Sequence, residues 1–406
     1  MNLIIRTKLS AMMFLQYFIW SMWYVTLGTY MMSRLQASAM DVGSTYATFS
    51  ISAIVSPILI GMLADKLFSS KFLMICLHIL GAFFLFFLSE TGSLDLFWWL
   101  VLAYTFLYTP TISLSNAIAF SQVSHAGKEF PMIRVWGTIG WIVAGVTIGF
   151  LKIEQSNMIF KIAGVASVLL AFLSLLLPEA NHAEKPTSWK SSIGLDALSL
   201  FKDKAYLTFF IISILMCIPL TFYYSFANPF LNDVGLNNAT GKMTLGQVSE
   251  AAFMVLIPLL FVKWGVKKML AVALICWIAR YIFFAFGNSD IHAWMLIAGI
   301  VLHGACYDFF FVTGQIYTES KATSTIKNAA QGLITFATYG VGMFFGSYIS
   351  GYLTELFRNE DGSNLSYNWM SVWLLPAGIS AFLLLILILL FKEKIKVLPH
   401  EPKTSN

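Results

Sequence analysis

The chain has 406 residues, of which 58% are hydrophobic and only 11% charged. A soluble globular protein carries roughly 25% charged residues, so this composition excludes a soluble domain and indicates a polytopic membrane protein, lipid bilayer included among its partners. The net charge of +5 does not mark a nucleic-acid partner, because the basic residues are spread over short connecting loops instead of one patch.

Arg6 and Lys8 open the chain, and an apolar run follows to about Met32. That run is too long for a signal-peptide core, and Arg34 separates it from the small residues Ala37-Ser38-Ala39, so it reads as a retained first transmembrane helix. Hydropathy gives twelve spans, near 9–32, 44–64, 72–89, 96–120, 133–151, 158–177, 205–230, 244–262, 268–287, 291–317, 328–353 and 369–391. The longest polar interruption runs from Pro178 to Lys204. It divides the chain into a six-helix bundle over 1–177, a cytoplasmic linker over 178–204, a second bundle over 205–391 and a tail over 392–406. Within the linker, Leu195 to Phe201 has helical spacing suited to the membrane surface. The expected fold class is an all-α membrane protein of twelve transmembrane helices in two six-helix halves.

With the N-terminus inside, eighteen Lys and Arg fall in inside segments and five outside: Arg34, Lys152, Lys161, Lys242 and Arg358. That asymmetry puts both termini and the linker in the cytoplasm of a multi-pass inner-membrane protein. A local repeat relates the halves. Gly61-Met-Leu-Ala-Asp65-Lys66 follows span two, and Lys263-Trp-Gly-Val-Lys267-Lys268, without the acid, follows span eight. Spans five and eleven carry glycines at four-residue spacing, Gly145 with Gly149 and Gly342 with Gly346. These suit either surfaces that rock against each other or static close packing. The four cysteines lie singly in apolar runs, so neither disulfides nor a metal site is indicated.

Ionisable groups at membrane depth are expensive and usually face a cavity, a partner or a proton path. Only two acids lie well inside spans, Glu250 and Asp308. In span eight, Gln247 and Glu250 share a helical face. In span ten, His303 and Tyr307 share a face beside Asp308. Span five offers Arg134, Thr138 and Trp141 as one stripe, with Arg134 the only basic residue near a cavity face and able to neutralise either acid. It could equally snorkel to the cytoplasmic end. Span seven adds Thr221, Tyr224 and Asn228. Span four has Thr109-Pro110-Thr111 and Asn116, the proline freeing carbonyls for polar contacts. Of the span-one residues Gln16, Trp20, Trp23 and Tyr24, Trp23 is expected to face lipid.

Such a cavity, with acids, amides, hydroxyls and rings but no arginine cluster, suits a neutral hydroxyl-rich ligand bearing a flat ring. A nucleoside and a sugar both fit that chemistry. No intramembrane catalytic set is present.

These motifs together resemble the nucleoside:proton symporter family of the major facilitator superfamily. The resemblance rests on Leu15-Gln-Tyr-Phe-Ile-Trp20, Ala64-Asp-Lys66, Thr109-Pro-Thr111, Ile133-Arg-Val-Trp-Gly-Thr-Ile-Gly140, Gly194-Leu-Asp-Ala197, Gly246-Gln-Val-Ser-Glu250, Tyr307-Asp308 and Ala330-Gln-Gly332. It implies a proton-coupled nucleoside importer working by alternating access, not an enzyme, without cofactor or metal and acting as a monomer. It further implies a nucleoside site lined by Arg134, Thr138, Trp141, Gln247, Glu250, His303 and Tyr307, with Thr221 and Tyr224 in span seven. Asp308, with Glu250, would serve proton coupling, and Asp65 with Lys66 a conformational latch. Where well-known members carry Gln and Asn in span seven, this chain has Thr221 and Tyr224. The position of Trp141 is often Phe and that of His303 often Tyr, so the preferred base does not follow. A sugar or drug carrier on the same fold, or a sensor that binds without transporting, are the alternatives.

Overall fold

The computed structural model describes residues 2–64, 69–123, 126–178, 195–323, 326–359 and 366–392. In lipid every backbone N–H and C=O must be satisfied internally, and the apolar runs accordingly fold as helices. The first half contains α1 (Leu3–Tyr24), α2 (Leu27–Arg34), α3 (Ala39–Ala64), α4 (Ser70–Glu90), α5 (Leu94–Phe120), α6 (Ala126–Leu151) and α7 (Met158–Leu175). A short 3₁₀ helix at Leu195–Lys202 leads into the second half. There follow α8 (Lys204–Asp233), α9 (Ala239–Phe286), α10 (Ala293–Val301), α11 (His303–Tyr307), α12 (Thr313–Lys321), α13 (Lys327–Thr335), α14 (Met343–Glu355) and α15 (Trp369–Leu390). Asp65, Lys66 and most of the linker and tail lie outside the described residues.

Twelve spans can be traced among the described residues, but five are built differently from the hydropathy reading. Span one breaks at Val25–Thr26 into α1 and α2. Spans eight and nine join as the 48-residue α9, which reverses at Gly265 (φ 69°, ψ 171°) with no intervening loop. That backbone region is essentially glycine's alone. Span ten runs α10, α11, a π-turn at Asp308–Val312 and α12, while span eleven inserts a second π-turn, Phe336–Gly342, between α13 and α14. Several helix starts are capped by side chains. Asp203, for example, accepts from the N–H groups of Ala205 (2.8 Å) and Tyr206 (3.3 Å). Lys321 Nζ sits 2.7 Å from the same carboxylate. Partial burial pushes the Asp203 carboxyl up, but Lys321 and the two N–H donors outweigh it and hold it below its ordinary range.

In the first half α1 packs on α6 and α7, α4 on α5 and α7, and α3 on α5; in the second, α8 packs on α14 and α15, and α9 on α11 and α15. Two helix pairs make most of the seam between halves, α3 with α14 and α6 with α9, and α2 packs on α8 beside them. The glycines explain the second pair. A Cβ on Gly145 would lie 2.6 Å from Thr244 Cγ2, and one on Gly149 would run into Asn238 Oδ1. Gly342 and Gly346 are not their counterparts, because both press on Cys217 of α8 within their own half. The α14 glycine at the seam is Gly351, opposite Gly43.

Hydrogen bonds clamp the seam at the face opposite the termini. Glu154 accepts from Asn232 Nδ2 (2.6 Å) and from the Thr240 N–H at the start of α9 (2.9 Å). Thr29 Oγ1 donates to Asn228 Oδ1 (2.5 Å), and the Ala39 N–H donates to Glu355 Oε2 (2.8 Å). Trp23 is not lipid-facing: it is 1% exposed, held edge-on against Tyr24 and Tyr104. Gln16 is likewise internal, donating to Thr111 Oγ1 (2.7 Å) with its carbonyl 3.1 Å from His78 Nε2.

Candidate functional site

A cavity of about 430 Å³ lies between the halves, within the roughly 300–1,000 Å³ range of small-molecule sites. Its first-half wall comes from four helices, with Phe49 and Ala53 supplied by α3. The periodicity of α1 turns Tyr17, Trp20 and Tyr24 inward, α5 adds Thr109 and Ser113 on either side of Pro110, and α6 presents Arg134, Thr138 and Trp141. The second-half wall holds Tyr224, Gln247, Glu250, His303, Tyr307 and Tyr339. Of the nine substrate-binding residues expected from the sequence, eight therefore meet at one cavity. Thr221 does not line it: the residue is buried, its hydroxyl donates to Ile218 O (2.9 Å), and it abuts Gly346.

The aromatic side is pre-arranged. Trp20 stacks on Phe49 (centroids 4.8 Å apart, planes 14°) and meets Trp141 edge-on at 5.3 Å. Arg134 lies over the Tyr17 ring at 4.0 Å, a cation–π contact. Among the described residues no ion pair joins Arg134 to either acid. It neither snorkels away nor neutralises them directly, and its guanidinium remains on the cavity wall.

The polar side depends on how closely α11 approaches α9. A Cβ on Gly304 would lie 2.5 Å from the Glu250 N, and the Gly304 N–H donates to Ser249 Oγ (3.0 Å). Gly246 lets the His303 Cβ approach to 3.1 Å of where its own Cβ would be. This contact places His303 Nε2 3.7 Å from Glu250 Oε2, beyond hydrogen-bond range but close enough for both to reach one ligand atom. Tyr307 stacks on His303 and bonds Tyr339 through the two hydroxyls. Asp308 stands apart, fully buried behind the wall, with neither carboxylate oxygen hydrogen-bonded among the described residues.

Several cavity residues escaped the sequence reading, among them Tyr17, Phe49, Ser113, Thr335 and Tyr339. The i, i+3, i+7 spacing of Tyr17, Trp20 and Tyr24 would have found the first. Phe49 lies beside the polar stripe Thr45, Thr48 and Ser52, and Tyr339 one turn after Thr335, and those spacings are the signal that could have found them. Arg280 is a further difference, because it is a second basic residue at the site and, unlike Arg134, is fully buried. It is 0% exposed, and its Nη1 bonds His303 Nδ1 at 3.1 Å.

Comparison with known proteins agrees with this geometry. The model of the family described as nucleoside H+ symporter matches residues 1–396. A putative nucleoside transporter of Escherichia coli, YegT, is 40% identical over 398 residues, covering 95% of this chain and 93% of that protein. The xanthosine permease of the same organism is 35% identical over 415 residues, covering 97% and 98%. The crystal structure of the nucleoside transporter NupG superposes with a TM-score of 0.87 at 30% identity, covering 97% of this chain and 100% of that one. A cavity shared by two six-helix halves, on a chain that matches the family model nearly end to end, places this protein in the nucleoside H+ symporter family, with the major facilitator fold.

Proposed function

We propose a division of labour inside this nucleoside:proton symporter, which imports its substrate by alternating access across the inner membrane. The aromatic wall of Trp20 and Trp141 takes the base. Base–aromatic stacking contributes roughly 1–3 kcal/mol per base. Gln247 and Glu250 take the ribose, with an amide beside a carboxylate matching adjacent hydroxyls that each donate one hydrogen bond and accept others. Thr138 and Tyr224 complete the wall, Arg134 adds a cation there, and Asp308 carries the coupled proton. The observation that supports this assignment is the meeting of eight polar and aromatic residues from both halves at one cavity. One positive charge moved through 100 mV is worth about 2.3 kcal/mol, so a single coupled proton supports roughly fifty-fold accumulation.

The ribose assignment is tested by calorimetry on Glu250→Gln. A hydrogen bond to a charged group contributes roughly 1.5–3 kcal/mol, so nucleoside binding weakens about ten- to hundred-fold while the free base loses little. Equal weakening of both would show that the carboxylate does not read the sugar.

We also infer that both termini and the linker are cytoplasmic, from the eighteen-to-five loop asymmetry. In a cysteine-free background, Ser289→Cys reacts with impermeant thiol reagents in intact cells and Lys202→Cys does not; the opposite pattern reverses the topology. Because one chain walls the whole cavity, a monomer suffices. A monomeric mass by light scattering in detergent, with transport intact, checks that, whereas activity confined to larger assemblies would contradict it.

A further inference from the structure

Arg280 is fully buried, yet among the described residues it has no carboxylate partner. Its guanidinium lies 3.4 Å over the Tyr223 ring, with Trp277 at 5.5 Å and Phe284 at 5.7 Å. Three aromatic faces therefore hold the charge. Its Nη1 reaches His303 Nδ1 at 3.1 Å, and on the other side His303 Nε2 faces Glu250 Oε2 at 3.7 Å. A guanidinium has five donors and no acceptor. It can bond Nδ1 only if that nitrogen is bare, so the proton of a neutral imidazole must sit on Nε2. Protonating both nitrogens would set a second cation against the first.

We propose that Arg280 is a positioning residue that fixes the tautomer of His303, so that Nε2–H always donates into the cavity toward Glu250. His303 and Glu250 then form a donor and an acceptor 3.7 Å apart. A ligand hydroxyl, which can accept from one and donate to the other, satisfies both. A bare acceptor satisfies only the histidine, and a bare donor only the carboxylate. The pair therefore selects a hydroxyl-bearing ligand over its deoxy analogue. This inference rests on the nucleoside reading for the ligand but not for the tautomer.

The first test needs no ligand. With ¹⁵N-labelled histidine, and the His303 signal assigned by its loss in His303→Gln, nuclear magnetic resonance of the whole carrier reads which nitrogen bears the proton. The expected result is a protonated Nε2 and a bare Nδ1 in the unaltered protein, kept in Arg280→Lys and mixed or reversed in Arg280→Met. A proton on Nδ1 in the unaltered protein, or an unchanged tautomer in Arg280→Met, overturns the proposal. The unaltered protein decides this even if Arg280→Met fails to fold. The second test is adenosine affinity in a double-mutant cycle. Arg280→Met weakens binding about ten-fold when His303 is present and less than about two-fold in the His303→Gln background, whose amide needs no tautomer to be set. Equal weakening in both backgrounds would show that Arg280 does not act through His303.

Discussion

Glu250 and Asp308 are both carboxylates at membrane depth, and their surroundings separate their roles. Glu250 lines the cavity beside Gln247 and His303, whereas Asp308 is sealed behind the wall with no hydrogen bond to either oxygen among the described residues. A buried charge without partners is costly, and a bound proton removes that cost. Asp308→Asn mimics the proton-bound form permanently. It is expected to abolish accumulation driven by a pH gradient while leaving nucleoside binding within a few-fold of normal. If the variant still accumulates substrate, the proton site lies elsewhere and Glu250 is the next candidate. The sequence made both acids conspicuous because each interrupts an apolar run, and the stripes on spans five, eight and ten were legible by periodicity. Arg280 was equally visible, but its role was not. No spacing rule relates a residue of span nine to Nδ1 of one in span ten; only the close packing of α11 on α9 does.

At the scale of elements, hydropathy located the spans correctly because helix is the one local answer lipid permits an apolar run. It missed what depends on a single backbone conformation. The reversal inside α9 uses Gly265 at φ 69°, ψ 171°, with nothing within 4 Å of where its Cβ would be. Gly265→Ala therefore tests backbone strain free of steric conflict, and it should cost about 1–3 kcal/mol, seen as a lower melting temperature in detergent. Gly378 in α15 also has open space around it but an ordinary helical backbone. Gly378→Ala should be neutral or slightly stabilising, and equal losses in the two variants would remove the backbone explanation. The π-turns at Asp308–Val312 and Phe336–Gly342 were equally invisible to a method that assumes 3.6 residues per turn. Both occur in helices that supply the cavity wall, where such turns are often found.

For the whole molecule, the decisive feature is the clamp at the face opposite the termini. There Glu154 of the first half holds Asn232 and the start of α9 in the second. Glu154→Gln replaces one acceptor by a donor aimed at the Asn232 donor, and it removes the charge from the helix N-terminus. The clamp should weaken by roughly 1.5 kcal/mol or more, which shifts the population open to that face by about ten-fold. A cysteine at the cavity residue Ser113 should then react correspondingly faster with an impermeant thiol reagent added to that side of the membrane. An unchanged rate would mean that the helix seam alone keeps that face shut. The clamp also touches no ligand, since none of its donors or acceptors lines the cavity. Its strength is the same whether the carrier is empty or loaded, so it cannot enter the coupling ratio between substrate and proton. Weakening it alters how fast a cell fills and leaves untouched the gradient at which filling stops.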